Sequence, residues 1–250
     1  MTRLLLLTTG DTIAFDPRPG RGAFASGAEL LAALPAGSVP ADVTVEDTLA
    51  EPSWDLDPET MLRLARRAVV ACLNDELHAA RWVGLVDAGG VAAFSSAPYP
   101  LLGRVVGGGV ELLGPPPPRP PAPTGEPESA IALIKTYPGI GPALLHAVAD
   151  GGARGVVLEG TGMANVPVGL LTAIDELTGW DIPVVVSSRC RTRAVSPDEF
   201  HGGAALAARM GAISARGLPP VKARAALMVA VADGGVRTAR DWFGRLTGEA

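Results

Sequence analysis

The chain has 250 residues, which is enough for one large α/β domain or two modest ones around a buried core. Its composition, with 48% hydrophobic and 19% charged residues, is ordinary for a globular protein that folds in water. The formal net charge of −5 argues against a nucleic-acid partner, because proteins that bind nucleic acids carry a basic stripe.

The cysteines and histidines argue against a metal centre. Cys72 and Cys190 are too few and too far apart for a disulfide scaffold or a CxxC metal site. The three histidines share no metal-ligand spacing, and we expect them on the surface or on helices. These histidines are His78, His146 and His201. The sequence therefore predicts no metal and no other cofactor.

The apolar run near the N-terminus does not predict a targeting segment. Residues 3–9 are too short for the core of a signal peptide, and no small-residue cleavage site follows them. No apolar stretch in the chain is long enough to span a membrane. We therefore expect a cytoplasmic protein with no membrane partner.

The first half of the chain predicts alternating strands and helices. Ser26 and Glu29 have the spacing of a capping box, and Asp57 can cap the long helix that follows it. The apolar face of that helix consists of Met61, Leu62, Ala65, Ala68, Val69 and Cys72. In chain order we predict a strand over 4–7, a helix over 28–34, a strand over 43–46, a helix over 57–73 and a strand over 81–86.

A proline-rich segment separates the two halves. Residues 114–125 contain seven prolines in twelve positions, which excludes a helix and favours an extended polyproline conformation. We interpret this segment as a semi-rigid linker, and the alternative is a recognition motif for a proline-binding module.

The second half predicts a small parallel α/β layer, because strands and helices alternate at short spacing. We predict strands over 131–137, 155–159 and 183–187, helices over 142–150 and 166–177, and a final helix over 220–232. The chain then divides into an N-terminal domain (1–113), a linker (114–128) and a C-terminal domain (129–250).

The first loop after a strand is a candidate site, because ligands of open α/β sheets bind at the carboxyl ends of the strands. This loop, residues 9–14, reads Thr-Gly-Asp-Thr-Ile-Ala and presents a threonine hydroxyl that could act as a nucleophile or a substrate anchor. The alternative is a capped turn, since threonine, glycine and aspartate are common turn residues.

Several motifs in this order resemble the bacterial-type asparaginases. Residues 9–14 resemble the TGGTIA signature of that family, and residues 52–55 (Pro-Ser-Trp-Asp) resemble its substrate loop. Residues 75–83 and 93–97 resemble the segment around its catalytic lysine. Residues 155–167, 183–189 and 222–227 resemble its C-terminal domain.

The resemblance implies hydrolysis of asparagine, and often of glutamine, to the acid and ammonia. Thr12 takes the position of the nucleophile, Ser53 and Trp54 that of the substrate loop, and Asn165 that of an asparagine supplied by a neighbouring copy of the chain. Trp54 could instead pack against the sheet. The family also implies a homodimer or homotetramer that binds a small amino acid.

Three departures from the family pattern concern the chemistry. Asp11 replaces the second glycine of TGGTIA, which places a carboxyl group beside Thr12. The family's GTDT motif, whose threonine and aspartate assist the nucleophile, occurs nowhere in the chain, which is shortened near residues 73–75. Leu85 stands where the family has its relay lysine. Neither Lys135 nor Lys222, the only two lysines, lies in a segment that resembles the region around the family's relay lysine.

These departures leave three interpretations. The chain is an asparaginase-family protein with impaired or lost hydrolysis, an active amidohydrolase whose Thr12 is activated by another group such as Asp11, or a non-catalytic partner of an intact relative.

For the fold, we expect an N-terminal doubly wound parallel sheet that is truncated, and a smaller parallel α/β C-terminal domain. In the family, the block that is missing near residues 73–75 should contain central strands of this sheet. Their loss would leave unpaired strand edges or force a new pairing, so we expect thermal unfolding near or below about 45 °C.

Overall fold

The structure is a computed structural model, and it describes only part of the chain. The described residues are 4–8 (main chain), 25–33, 43–49, 57, 60, 70–90, 92–107, 109–118, 125–191, 202–232 and 234–246. They form two compact units, one from residues 1–77 and 101–115 and the other from residues 78–100 and 116–250. The domain boundaries at 113 and 129 stay predictions. No helix in the described ranges is long and apolar enough to cross a membrane.

The described strands and helices alternate in residues 4–47 and 131–230, which confirms the predicted α/β class, whereas only strands are described between residues 70 and 135. The strands are β1 (Leu4–Thr8), β2 (Val43–Asp47), β3 (Val70–Leu73), β4 (Glu76–Ala79), β5 (Gly84–Leu85), β6 (Phe94–Ser95), β7 (Gly103–Val106), β8 (Gly109–Leu112), β9 (Ile131–Lys135), β10 (Gly155–Gly160), β11 (Val184–Ser188) and β12 (Ile213–Ser214). The helices are α1 (Gly27–Ala32), α2 (Ala143–Asp150), α3 (Leu171–Gly179), α4 (Gly203–Arg209), α5 (Pro220–Ala230) and α6 (Val236–Arg245), with a 3₁₀ turn at Val168–Leu170.

The first unit begins with a parallel β1–β2 pair, in register from Leu4 opposite Val43, with α1 between the two strands in the sequence. The predicted capping box is present, because Ser26 accepts a hydrogen bond from the Glu29 amide while the Glu29 carboxylate accepts one from the Ser26 amide. Asp47 accepts a hydrogen bond of 2.6 Å from the Gly27 amide and so attaches the start of α1 to the end of β2. Both strands and the helix confirm the predictions for this part of the chain.

The shortened region folds into a tight hairpin, and the predicted helix over 57–73 is wrong at its C-terminal end. Residues 70–73 form β3, next to β4 in the sheet. Asn74 and Asp75 connect the two strands with φ of 52° and 58°, a left-handed pair that suits a two-residue hairpin turn. Pairing across this turn outweighs the helical periodicity that the sequence shows up to residue 73.

Strand β4 also pairs with β7, which pairs with β8, and both pairings are antiparallel. The resulting sheet has the order β3-β4-β7-β8. It contrasts with the parallel β1–β2 pair of the same unit. The strand predicted over 81–86 is wrong for its first residues, because Trp82 and Val83 both donate to the Ala79 carbonyl in a turn and only Gly84–Leu85 is extended.

The second unit contains a fully parallel sheet of order β12-β11-β10-β9. Its side chains alternate between two buried clusters. Val157 and Val185 pack with α5 and α6, whereas Val156 and Val184 pack with α2 and α3. Because helices cover both faces, the strands are nearly continuous apolar runs, which is why the sequence predicts them well.

Four elements of this unit were not predicted. They are β6, α4, β12 and α6, and the last of these follows the helix that we expected to be final. Helix α6 buries Trp242 and Phe243 against the core, and Gly235 precedes it. Gly234 and Gly235 thus lie between the helix that we expected to be final and α6.

His78 is a correction to the predicted surface position of the histidines. It is fully buried on β4, and its Nδ1 atom lies 3.1 Å from the Ser96 hydroxyl. His146 agrees with the expectation, because it lies partly exposed on α2 and pairs with Glu176 of α3 at 2.8 Å. His201 lies outside the described residues.

Candidate active site

Most of the predicted site residues lie outside the described part of the chain. Thr12, its neighbour Asp11, Ser53 and Trp54 all belong to this group. The structure describes Asn165, the residue predicted to reach a neighbouring copy. The roles predicted for Thr12, Ser53, Trp54 and Asn165 therefore stay predictions.

Asn165 lies at the end of a tight loop that follows β10. Its main chain exchanges two hydrogen bonds with Thr161, of 2.9 and 2.8 Å, and these close the loop on itself. Gly162 and Ala164 both have positive φ, of 50° and 66°, inside this loop. A side chain at Gly160 would approach the main chain of Ala164 to 2.7 Å, so the loop needs a glycine there to fold back closely. The loop fixes Asn165 at the carboxyl edge of the parallel sheet.

The side-chain amide of Asn165 has one orientation. Its Oδ1 atom accepts a hydrogen bond of 3.1 Å from the Ala204 amide at the start of α4. A Cβ atom at Gly202 would lie 2.6 Å from the same oxygen, so the chain passes close to it. With Oδ1 occupied, the Nδ2 group is left as a donor, and no described residue accepts a hydrogen bond from it. Asn165 can therefore bind an oxygen acceptor, such as a carboxylate or an amide carbonyl.

Glu159 lies at the same edge of the sheet and is half-buried between two cations. Its carboxylate is 3.5 Å from the Lys135 amine and 3.8 Å from the Arg189 guanidinium. Arg189 also donates to main-chain carbonyls, among them that of Thr136. Glu159 is therefore paired with two cations.

Most of the segment that resembles the family's lysine region, residues 78–83 and 93–97, belongs to the second unit. Leu85 is 60% exposed on β5 and carries no titratable group. One residue before this strand, the Val83 carbonyl accepts a hydrogen bond from the Lys222 amine, which also donates to the Ala80 carbonyl. Burial, and then the nearby charge of Arg191, lowers the pKa of Lys222 to about 8. An amine with such a pKa is partly neutral at mildly alkaline pH.

Arg191 contacts the same segment from the residues after β11. Its guanidinium donates to the carbonyls of Gly84, Ser95 and Ala97, at 3.3, 2.6 and 3.3 Å. A Cβ atom at Gly84 would lie 2.9 Å from this guanidinium, so a larger residue at position 84 would require Arg191 to shift.

Sequence reasoning did not assign a role to Lys222 or Arg191. The one available signal was scarcity, because Lys222 is one of two lysines in the chain. The other, Lys135, has a side chain that is 71% exposed and pairs with Glu159. In the described ranges, no group of three or more His, Cys, Asp or Glu residues could hold a metal ion.

Comparison with protein families gives two matches in chain order. The description "Asparaginase, N-terminal" matches residues 3–69, and "Glutaminase/Asparaginase C-terminal domain" matches residues 130–243. The second match contains the Asn165 loop, Arg191 and Lys222. The residues between the two matches include the shortened region and the proline-rich segment.

Solved structures with the same fold include the thermostable L-asparaginase from Thermococcus kodakarensis, with a TM-score of 0.76, 21% identity and coverage of 99% of both chains. A probable cytoplasmic L-asparaginase from Campylobacter jejuni has a TM-score of 0.74 and 21% identity, and the match covers 97% of this chain and 99% of that one. At this identity the likeness concerns the fold.

Curated relatives include the D subunit of glutamyl-tRNA(Gln) amidotransferase. The protein from Methanothermobacter thermautotrophicus is 37% identical over 76 residues, which is 30% of this chain and 18% of the relative. The protein from Pyrobaculum aerophilum is 36% identical over 106 residues, 42% of this chain and 25% of the relative. The chain thus spans about a quarter or less of these two relatives. The two family matches and the shared fold together show that the chain belongs to the glutaminase/asparaginase family.

Proposed function

We propose that this protein binds asparagine or a similar small amino acid and that its hydrolysis of the side-chain amide is impaired or lost. The observation that carries the proposal is Leu85. An exposed leucine stands where the family resemblance places the relay lysine, and the chain contains no GTDT motif.

The chemical reason is that a threonine hydroxyl is a weak nucleophile at neutral pH. It needs an adjacent base or a lowered pKa, and general acid–base assistance contributes about 10²–10⁴-fold in rate. Leu85 can neither accept nor donate a proton. Lys222 is a partly buried amine on α5 that contacts the segment carrying Leu85, but both of its described hydrogen bonds go to main-chain carbonyls.

In this proposal Thr12 is the residual nucleophile, and Ser53 and Trp54 belong to the substrate loop. Asn165 contributes its Nδ2 donor to an oxygen of a ligand bound by a neighbouring copy, in a homodimer or homotetramer. A cytoplasmic location and the absence of a cofactor stay predictions from the sequence.

The test measures binding and hydrolysis separately. Calorimetry with L-asparagine and L-aspartate measures binding, and ammonia release from millimolar L-asparagine is compared between the native chain and Thr12→Ala. We expect saturable binding with no ammonia release above the variant. Ammonia release that disappears in Thr12→Ala would instead assign an active amidohydrolase and contradict the loss of hydrolysis. Absence of binding to either amino acid would contradict the proposal as a whole.

A second candidate is a non-catalytic partner of another protein. It is supported by the relatives from Methanothermobacter and Pyrobaculum, which are named as subunits of an amidotransferase. If this candidate is correct, the chain co-purifies with an intact family member from its own organism and alters that protein's activity. A homo-oligomer that binds asparagine without such a partner would contradict it.

A further inference from the structure

The described residues 80–90 and 92–100 form a small, self-contained segment of the second unit, which we name the strap. Its strands β5 and β6 pair with each other, and its other main-chain hydrogen bonds are local, as from Val86 to Ala93 and from Tyr99 to Ser96. Among the described residues, no main-chain hydrogen bond joins the strap to residues 125–246. The strap is therefore not an extension of the parallel sheet.

Cationic side chains make the polar attachment instead. Lys222 and Arg191 reach from the parallel layer to the carbonyls of Ala80, Val83, Gly84, Ser95 and Ala97. In the opposite direction, Arg81 of the strap donates to the carbonyls of Leu246 and Pro118, at 2.8 and 2.6 Å. All of these acceptors are main-chain carbonyls, so the attachment depends on a few charged hydrogen bonds.

One aromatic pair adds apolar contact. Trp82 stacks on Tyr99 with ring centroids 3.7 Å apart and planes 7° apart, and it packs against the cluster formed by α5 and α6. The tip of the strap is exposed, with Leu85 at 60% and Val86 at 49%. Segments with few buried apolar contacts open locally at lower free energy than core strands do.

We propose that the strap opens and closes on the parallel layer as a separate unit, and that Lys222 and Arg191 are its latch. Opening breaks the side-chain bonds to the strap carbonyls, withdraws Trp82 and separates the two-residue strands β5 and β6, so that strap amides exchange, while the pairing of β9, β10 and β11 is unchanged. Because the strap carries Leu85, the latch also sets the position of the residue that replaces the relay lysine. The proposal depends on family membership for that last point, and not on the binding of asparagine.

The test is hydrogen–deuterium exchange of the full chain, read by mass spectrometry in peptides that cover the strap and in peptides that cover β9–β11. A hydrogen bond to a charged group contributes about 1.5–3 kcal/mol, so Lys222→Met is expected to speed exchange in the strap by about tenfold or more. Exchange in β10 and β11 should stay within about twofold of the native chain. Lys222→Arg, which keeps the charge, should restore much of the protection.

Lys135→Met is the matched control, because it removes the other lysine, which is exposed and bonds to no strap residue. It should leave strap exchange unchanged. Arg191→Gln is the second latch variant, and it tests the proposal even where Lys222→Met fails to fold, because Arg191 is exposed. It should speed strap exchange in the same way.

Two outcomes would overturn the latch. If strap exchange in both variants equals that of the native chain, Lys222 and Arg191 do not hold the strap. If the strap and β9–β11 lose protection together by the same factor, the strap does not open separately. These measurements need no ligand, so they are distinct from the calorimetry that tests the proposed function.

Discussion

The two four-stranded sheets of this protein differ in how they are stabilised. In the parallel sheet, Val156 and Leu158 of β10 are completely buried. In the sheet next to the shortened region, Val110 and Leu112 of the edge strand β8 are 53% and 76% exposed. The first sheet is covered on both faces by helices, whereas the second is built from four-residue strands and tight turns. The family's C-terminal layer is therefore well packed here, and the shortened region depends on local turn geometry.

The largest expected effect on stability compares the packing of these two sheets directly. Leu158→Ala should lower the free energy of unfolding by about 3–4 kcal/mol, because it leaves a cavity between β10 and the helices. Leu112→Ala is the matched control in β8 and should change it by no more than about 0.5 kcal/mol. Urea unfolding followed by circular dichroism measures both values. Similar losses for the two variants would mean that the β8 sheet is as tightly packed as the parallel sheet.

The second prediction concerns how the free energy of unfolding depends on pH through the partly buried amine of Lys222. The pKa of Lys222 is about 8 in the folded chain, against an ordinary value of 10.5. Between pH 8 and 10 the unfolded chain therefore binds more protons than the folded one, and the free energy of unfolding rises with pH. The rise attributable to Lys222 is at most about 3 kcal/mol. The neutral amine still donates hydrogen bonds to the strap carbonyls, so the strap stays attached.

Urea unfolding at pH 7, 8, 9 and 10 measures this rise. Lys222→Met should remove it, and Lys135→Met should keep it. A rise of the same size in Lys222→Met would assign the pH dependence to other groups.

The same contrast explains which elements the sequence could predict. The strands β9, β10 and β11 are short apolar runs bounded by glycine, proline or polar residues, so local pattern and tertiary burial agree. Residues 57–73 have a helical pattern, yet their last four residues form β3. That result depends on the turn at Asn74 and Asp75 and on pairing with β4 beyond it, which the helical periodicity up to residue 73 does not include.

In the candidate site, too, the sequence could predict local features but not contacts between residues that are far apart in the chain. The Asn165 position was accessible through the family resemblance, since the loop is local and rich in small residues. Its amide orientation was not, because the partner is Ala204, 39 residues further along the chain. The sequence could not predict the latch contacts at all, since Lys222 and the Ala80 carbonyl are 142 residues apart.

The third prediction uses the oxygen and nitrogen ends of the Asn165 side chain. Asn165→Ala removes the acceptor for the Ala204 amide and should cost about 1 kcal/mol of stability, as the loss of a helix cap does. Asn165→Asp keeps an oxygen for that amide and should cost less, while it replaces the Nδ2 donor with an acceptor. Thermal unfolding and calorimetry with L-aspartate measure the two effects.

For Asn165→Asp we expect nearly native stability and, if the native chain binds L-aspartate, weaker binding because a carboxylate would then face a ligand oxygen. Equal destabilisation by Asp and Ala would show that Oδ1 does not cap α4. Native binding by Asn165→Asp would contradict the donor role of Nδ2.

The smallest expected effect tests the turn at the shortened region. Asp75 has φ of 58°, where the Cβ atom of an aspartate causes steric strain. Glycine has no Cβ atom and adopts this conformation without that cost. Asp75→Gly should therefore raise the free energy of unfolding by up to about 1 kcal/mol, since Asn-Gly is the preferred pair for such a turn. Asp75→Val is the matched opposite change and should lower it by more, because β-branched residues are strongly disfavoured at positive φ. If urea unfolding shows no difference between these two variants, the hairpin contributes little to stability, and the shortened region is held by contacts other than its turn.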